Sequence, residues 1–242
     1  MSIETEILIF LHIPKVGGMT LSKILERHYS PAQTLNFDAG DNQQTRFEAI
    51  PAPQRARSRL IKGHLFFGLH RCIEGPSVYV TFLREPIERV LSFYRYARSD
   101  PGHYLHDLLM TDGLDLKRSR NEDLNLELCN EQTRMLAGDE WEDPQRPVTR
   151  AALQRAQENL RTHFRVVGLT EEFDTSVMLL HETFGWPPAP YMKENVTNNK
   201  PDDASIDPEI RGFIEESNTL DGELYEYARE LFNDRRRAAN KS

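Results

Sequence analysis

The chain has 242 residues, of which 38% are hydrophobic and 28% charged, and its formal net charge is −8. This length fits one domain over residues 1–242 with a substantial core, and the composition excludes a fully disordered chain. The negative charge excludes broad electrostatic binding of nucleic acid, which needs a basic face.

Membrane insertion and export are also disfavoured by the sequence. No apolar run reaches the about 20 residues that span a bilayer, and the acidic, polar residues 1–6 do not resemble a signal peptide. The two cysteines, Cys72 and Cys129, are too few for a disulfide framework and lack the spacing of a zinc site. We therefore expect a cytoplasmic protein without stable membrane insertion; the oligomeric state is left open.

The first predicted unit is a strand, a glycine turn and a helix. The apolar run at residues 7–13 (ILIFLHI) is typical of a buried parallel strand and stops at Pro14. After a glycine pair, apolar positions recur at helical spacing: Leu21, Ile24, Leu25 and His28.

A second unit of the same kind begins at Ser77. Residues 77–83 (SVYVTFL) are rich in β-branched and aromatic side chains and predict a strand that leads into Arg84. Pro86 then favours the first position of a helix. The apolar stripe of that helix is Ile87, Val90, Leu91 and Tyr94.

The remaining elements alternate in type. Short strands are predicted at residues 59–61 and 164–168, and helices at residues 121–137, 149–162, 171–184 and 219–233. Residues 111–123 and 138–149 are polar and are candidates for mobile loops. The pattern predicts an α/β, P-loop-like, three-layer domain with a central parallel sheet flanked by helices. Ligands of such sheets bind at the carboxyl ends of strands, where residues 14–20 and Arg84 fall.

Residues 14–20 (PKVGGMT) have the composition of an anion-binding loop. A glycine turn that leads into a helix offers unpaired N–H groups and a partial positive charge, to which Lys15 adds a point charge. The alternative is a tight turn with a solvated lysine. The Walker pattern of nucleotide kinases places Lys after the last Gly, whereas Lys15 precedes the glycines. Magnesium-dependent phosphoryl transfer is therefore disfavoured, and a kinase is only the third interpretation.

Two motifs together resemble a known family. Residues 12–20 (HIPKVGGMT) resemble the 5'-phosphosulfate loop of the sulfotransferase family that includes the heparan sulfate 2-O-sulfotransferases, whose usual form is PKTGGTS. Residues 81–94 (TFLREPIERVLSFY) resemble its 3'-phosphate motif, in which an Arg ends a strand and a Ser follows eight residues later. Residues 130–138 (NEQTRMLAG) and 167–177 (VGLTEEFDTSV) are also similar to this family, so the likeness covers most of the chain. It implies a soluble, bacterial-type member that uses 3'-phosphoadenosine 5'-phosphosulfate as co-substrate, with no metal.

The resemblance assigns the first anion site to the glycine loop. It implies that Lys15 contacts the bridging oxygen and 5'-phosphate, assists the leaving group, and is followed by the donor cradle: Val16, Gly17, Gly18, Met19 and Thr20. Val16 and Met19 stand where the family usually has hydroxyl residues. The second interpretation is therefore a nucleotide-binding protein with weak or no transfer activity.

The second anion site is implied at Arg84 and Ser92, which would hold the 3'-phosphate. Ser92 lies with Glu88 on the polar side of the predicted helix. The alternatives are an ion pair from Arg84 to Glu85 or Glu88, and an ordinary exposed helical serine at position 92.

His64 is the candidate general base, because histidine titrates near neutrality and Lys62-Gly63-His64 follows a predicted strand. The Gly-His step resembles the base motif of the 2-O branch, in which a further His stands at the position of Lys62. The alternative is a loop or capping histidine, and His12 is interpreted as a core residue. We expect transfer to a hydroxyl of a glycan or glycoconjugate; residues 117–120 are more typical of a solvated loop than of an acceptor site, and residues 195–198 match the family's closing loop only loosely.

Overall fold

A single parallel sheet organises the chain in the computed structural model, which describes residues 6–37, 42–111, 127–138, 147–192 and 208–239. Within these ranges the sheet has five strands in the order β2-β3-β1-β4-β5. They are β1 (Ile7–Leu11), β2 (Thr34–Phe37), β3 (Leu60–Gly63), β4 (Ser77–Leu83) and β5 (Phe164–Leu169). All pairings are parallel, which confirms the predicted α/β fold with a central parallel sheet.

Helices flank this sheet. They are α1 (Gly18–Leu25), α2 (Gln43–Ala49), α3 (Ala52–Arg57), α4 (Pro86–Ser99), α5 (His106–Thr111), α6 (Glu131–Ala137), α7 (Arg150–Thr162), α8 (Phe173–Phe184), α9 (Pro208–Ser217) and α10 (Thr219–Ala239). Single 3₁₀ turns occur at Pro31–Gln33 and Leu69–Cys72. None of the helices in these described ranges is long and apolar enough to cross a membrane.

Burial explains why β1 lies at the centre. All five of its residues are buried, and it pairs with β3 on one side and β4 on the other. A strand covered on both faces and both edges needs an uninterrupted apolar sequence, because polar side chains there would lose water without gaining partners.

The structure confirms the main predicted elements and moves some boundaries. The strand Ser77–Leu83 and the helix that Pro86 opens are as predicted, and Glu85 caps that helix by accepting a hydrogen bond from the Glu88 N–H at 2.8 Å. The first helix ends at Leu25, so His28 lies beyond it and stacks on Trp186 instead. Strand β2 was not predicted. The predicted loops at 111–123 and 138–149 fall largely outside the described residues.

Candidate active site

The carboxyl ends of the parallel strands place the candidate residues on one edge of the sheet. The glycine loop follows β1, His64 follows β3, Arg84 follows β4 and Thr170 follows β5. Because parallel strands all end at the same edge, residues far apart in sequence meet there.

The glycine loop has the backbone that close approach of an anion requires. Lys15 and Gly17 have φ values of 69° and 81°, and Gly17 is the N-cap of α1. A Cβ at Gly18 would lie 1.8 Å from the His12 Nε2, so no larger residue fits there. Gly17 has no side chain and so provides no side-chain cap for α1.

The two departures from the family's usual loop have different surroundings. The Val16 side chain is fully buried in the core, and its carbonyl accepts a hydrogen bond from the Thr170 Oγ1 at 2.8 Å. The Thr170 N–H donates to the Leu83 carbonyl at 2.9 Å, so Thr170 ties the loop to the end of β4. Met19 is 52% exposed, whereas Thr20 is buried. An apolar residue at position 16 is therefore explained by packing.

The Lys15 ammonium is held in a partly desolvated place. Its Nζ lies 3.9 Å from the centre of the Tyr96 ring, a cation–π contact. Burial, and to a lesser extent the nearby charge of Arg84, lower the pKa of Lys15 to about 8. Both causes disfavour the charged form of Lys15, and an anion that binds beside it would stabilise that charged form.

Arg84 joins the two predicted anion motifs. Its Nη1 donates to the Lys15 carbonyl at 3.1 Å across 69 residues of sequence, and its Nη2 donates to the Glu88 Oε2 at 3.2 Å. The ion pair with Glu88, which the sequence left open as an alternative, is therefore present. The Arg84 side chain is only 13% exposed, so its guanidinium is largely shielded from solvent.

Ser92 occupies a fitting position on α4. It lies four residues after Glu88, which contacts Arg84, and four residues before Tyr96, which contacts Lys15. Residues four apart share one helix face, so Ser92 lies on the face that borders both cations. Ser92 is half-buried, and its part in a 3'-phosphate site stays a prediction.

His64 has a defined tautomer. Its Nδ1 lies 2.9 Å from the His12 carbonyl, which only accepts hydrogen bonds, so Nδ1 carries a hydrogen and the neutral form of the ring has its lone pair on Nε2. The His64 N–H donates to the Phe37 carbonyl at 3.2 Å. Gly63 has a φ of 145°, and a Cβ there would lie 1.8 Å from the Phe37 carbonyl oxygen, which explains the glycine before His64.

His12 is closer to the site than the sequence indicated. Its ring stacks on that of His64 with centroids 4.5 Å apart, directly beneath Gly18. Burial, assisted by His64 and two lysines, lowers the pKa of His12 well below its usual value, so its ring is neutral near pH 7. The sequence did not indicate that His12 stacks on His64 or that Thr170 holds the glycine loop. Both residues nevertheless follow the carboxyl end of a strand, His12 after β1 and Thr170 after β5.

Other polar residues near these strands have partners elsewhere. The Lys62 Nζ lies 2.7 Å from Glu26, so it links β3 to the region after α1. The His70 Nδ1 lies 3.1 Å from the Tyr79 hydroxyl. In the part of the chain that the structure describes, no group of three or more His, Cys, Asp or Glu residues is arranged to hold a metal ion.

The fold and the site define an α/β protein in which a glycine loop, Arg84 and a pair of stacked histidines lie at one edge of a parallel sheet. A family model described as the sulfotransferase family matches residues 3–228, so the chain belongs to this family.

Relatives agree with that family. Heparan-sulfate 6-O-sulfotransferase 2 of Homo sapiens is 27% identical over 278 aligned positions, covering 94% of this chain and 44% of the relative. Heparan-sulfate 6-O-sulfotransferase 3 of Mus musculus is 27% identical, with 95% and 58% covered. The chain thus spans about half the length of these relatives. A crystal structure of mouse sulfotransferase SULT7A1 complexed with PAP has a TM-score of 0.41 and 15% identity over 90% of this chain and 66% of that one, too slight a likeness to support a comparison of sites.

Proposed function

We propose that this chain transfers a sulfuryl group from 3'-phosphoadenosine 5'-phosphosulfate to a hydroxyl of a carbohydrate or related acceptor. The observation that carries the proposal is the 3.1 Å contact between the Arg84 guanidinium and the Lys15 carbonyl, which unites two anion motifs 69 residues apart. A donor that carries anionic groups at both ends requires two such motifs side by side. Membership of the sulfotransferase family supports the same reaction.

The loop and α4 divide the donor between them in this proposal. Residues 15–20 hold the 5'-phosphosulfate through N–H groups at the start of α1 and the Lys15 ammonium. Arg84 and Ser92 hold the 3'-phosphate. The fit rests on the glycine backbone of the loop, on the absence of room for a Cβ at Gly18, and on the shared face of Ser92, Glu88 and Tyr96.

His64 and Lys15 take opposite sides of the transfer. The acceptor hydroxyl oxygen attacks sulfur while its proton passes to the His64 Nε2, whose Nδ1–H stays on the His12 carbonyl. The bond between sulfur and the bridging oxygen breaks, and the Lys15 ammonium stabilises the charge that develops on the 5'-phosphate. The products are a sulfated acceptor, adenosine 3',5'-bisphosphate and a protonated His64, which returns its proton to water.

A carbohydrate acceptor is supported by the names of the relatives, which are heparan-sulfate sulfotransferases. These relatives are 6-O-sulfotransferases, whereas the sequence motifs resembled the 2-O branch. The resemblance to the 2-O branch and to a bacterial-type member therefore remains a prediction from the sequence. We also keep metal-independent transfer and a cytoplasmic location as predictions.

A binding protein without transfer activity is the alternative. It was motivated by Val16 and Met19, and the burial of Val16 in the core removes half of that motive. What still favours it is Met19, which is 52% exposed and also stands where the family usually has a hydroxyl residue.

A transfer screen separates these functions. The protein is incubated with the donor and a panel of desulfated glycans, and mass spectrometry follows the gain of one sulfuryl group on each glycan. We expect transfer by the wild type and almost none by Lys15→Ala, because the leaving group loses its cation. Adenosine 3',5'-bisphosphate binding without transfer to any acceptor, or undiminished transfer by Lys15→Ala, would contradict the proposal.

A further inference from the structure

The segment at residues 130–132 (Asn130, Glu131 and Gln132) resembled the family in sequence but has no part in the proposed transfer. It lies at the start of α6, far along the chain from the glycine loop, yet its side chains reach the elements that carry Arg84 and Ser92. The contacts of Gln132 are the most direct of these.

The side-chain amide of Gln132 forms hydrogen bonds with both main-chain polar groups of Arg84. Its Oε1 accepts from the Arg84 N–H at 3.0 Å, and its Nε2 donates to the Arg84 carbonyl at 2.9 Å. The Gln132 side chain therefore pairs with the residue after β4 as a neighbouring strand would. Gln132 is fully buried, so neither Arg84 group can exchange this partner for water without a change in the packing.

The position of Gln132 is itself fixed from α10. The buried carboxylate of Asp221 accepts from the Gln132 N–H at 3.1 Å and from the Thr133 N–H at 2.7 Å, which caps α6. In return, the Asn130 Oδ1 accepts from the N–H groups of Leu220 and Asp221, both at 3.0 Å, at the start of α10. The two helices cap each other, and this leaves the Gln132 side chain little freedom.

The neighbouring Glu131 contacts α4, the helix that carries Ser92. Its carboxylate pairs with Arg89, a fully buried arginine of α4 that stands three residues before Ser92. The Arg89 Nη2 also donates to the Glu127 carbonyl at 2.7 Å. Consecutive residues of α6 thus contact the end of β4 and the helix α4, the two elements that carry Arg84 and Ser92.

We infer that Gln132 is a positioning residue for the 3'-phosphate of the donor: by clamping the Arg84 main chain, it aims the guanidinium at the phosphate. This inference rests on the proposed function, because it presupposes that Arg84 binds that phosphate. A substitution of Gln132 should therefore reduce the preference for nucleotides that carry a 3'-phosphate, without a general loss of nucleotide binding.

The test compares dissociation constants for adenosine 3',5'-bisphosphate and adenosine 5'-phosphate by calorimetry. Gln132→Met keeps the length of the side chain and removes both hydrogen bonds, so it is chosen over the smaller Gln132→Ala, which risks unfolding. We expect about tenfold weaker binding of the bisphosphate and less than about a twofold change for the monophosphate, because small misplacements of a phosphate-binding group are costly. In an Arg84→Ala background the same substitution should change neither constant.

Asn159→Ala is the matched control. Asn159 donates to the Leu136 carbonyl at 2.8 Å, near the opposite end of α6, and makes no contact with Arg84. This variant should lower the melting temperature and leave the ratio of the two constants unchanged. The inference is overturned if folded Gln132→Met keeps the wild-type ratio, weakens both nucleotides equally, or acts as strongly without Arg84. If the wild type itself does not distinguish the nucleotides, the proposed function fails instead.

Discussion

The protonation of Lys15 should make the affinity for the donor depend on pH. Burial and Arg84 lower the pKa of its ammonium to about 8, and a bound anion would raise it again, since the anion favours the charged form. Donor binding therefore takes up a proton whenever Lys15 is neutral in the free protein. Affinity is complete below pH 8 and is lost as the pH rises through that value.

The magnitude follows from linkage. With a free pKa of about 8 and a bound pKa above the range studied, the dissociation constant of adenosine 3',5'-bisphosphate rises about tenfold between pH 7 and pH 9. The uptake of protons is about one half per binding event at pH 8 and about 0.9 at pH 9. The phosphates add little to this slope, because their second pKa is about 6.

The assay is calorimetry at constant ionic strength in pairs of buffers with different heats of ionisation, which yields the affinity and the proton uptake together. Lys15→Arg is the matched control, because its guanidinium stays charged throughout this range. Its affinity should be independent of pH, whatever its absolute value. A flat wild-type profile between pH 7 and pH 9, or an equal slope in Lys15→Arg, would show that Lys15 does not take up the proton.

Three further substitutions test single residues of the site, and a fourth, on α10, is a control. His64→Ala should lower the transfer rate by about 10²–10⁴-fold with unchanged donor affinity, the loss expected of a general base, and single-turnover kinetics would expose a smaller effect. Glu88→Gln removes the carboxylate that pairs with Arg84, so adenosine 3',5'-bisphosphate should bind about two- to fivefold more tightly; weaker binding would mean that Glu88 serves the site. Gly18→Ala places a Cβ 1.8 Å from the His12 ring and should abolish donor binding, whereas Gly222→Ala, in open space on α10, should stabilise the fold by about 1 kcal/mol in denaturant unfolding.

The central strands and the glycine loop are readable from the sequence because their determinants are local. An apolar run that ends at Pro14 predicts β1, and β-branched residues followed by Pro86 predict β4 and α4. The short edge strand β2 escapes, since its four residues form no distinctive pattern and its pairing with β3 supplies the order. His28 was misplaced because nothing in the periodicity shows that α1 ends at Leu25.

The sequence indicates which residues lie at the candidate site, but not how their side chains contact one another. Lys15, Arg84 and His64 follow strand ends, and a parallel sheet brings such positions together. The stacking of His12 on His64 and the clamp of Gln132 on Arg84 join residues about 50 positions apart in sequence through side-chain geometry. No local pattern encodes those contacts, so the structure was needed to find them.

The presence of a 3'-phosphate site is tested by comparing how the wild-type protein binds adenosine 3',5'-bisphosphate and adenosine 5'-phosphate. If Arg84 and Ser92 hold a 3'-phosphate beside the glycine loop, the bisphosphate should bind at least about tenfold more tightly, the value of one charged hydrogen bond, and Arg84→Ala should erase that difference. Equal dissociation constants for the two nucleotides would contradict the account.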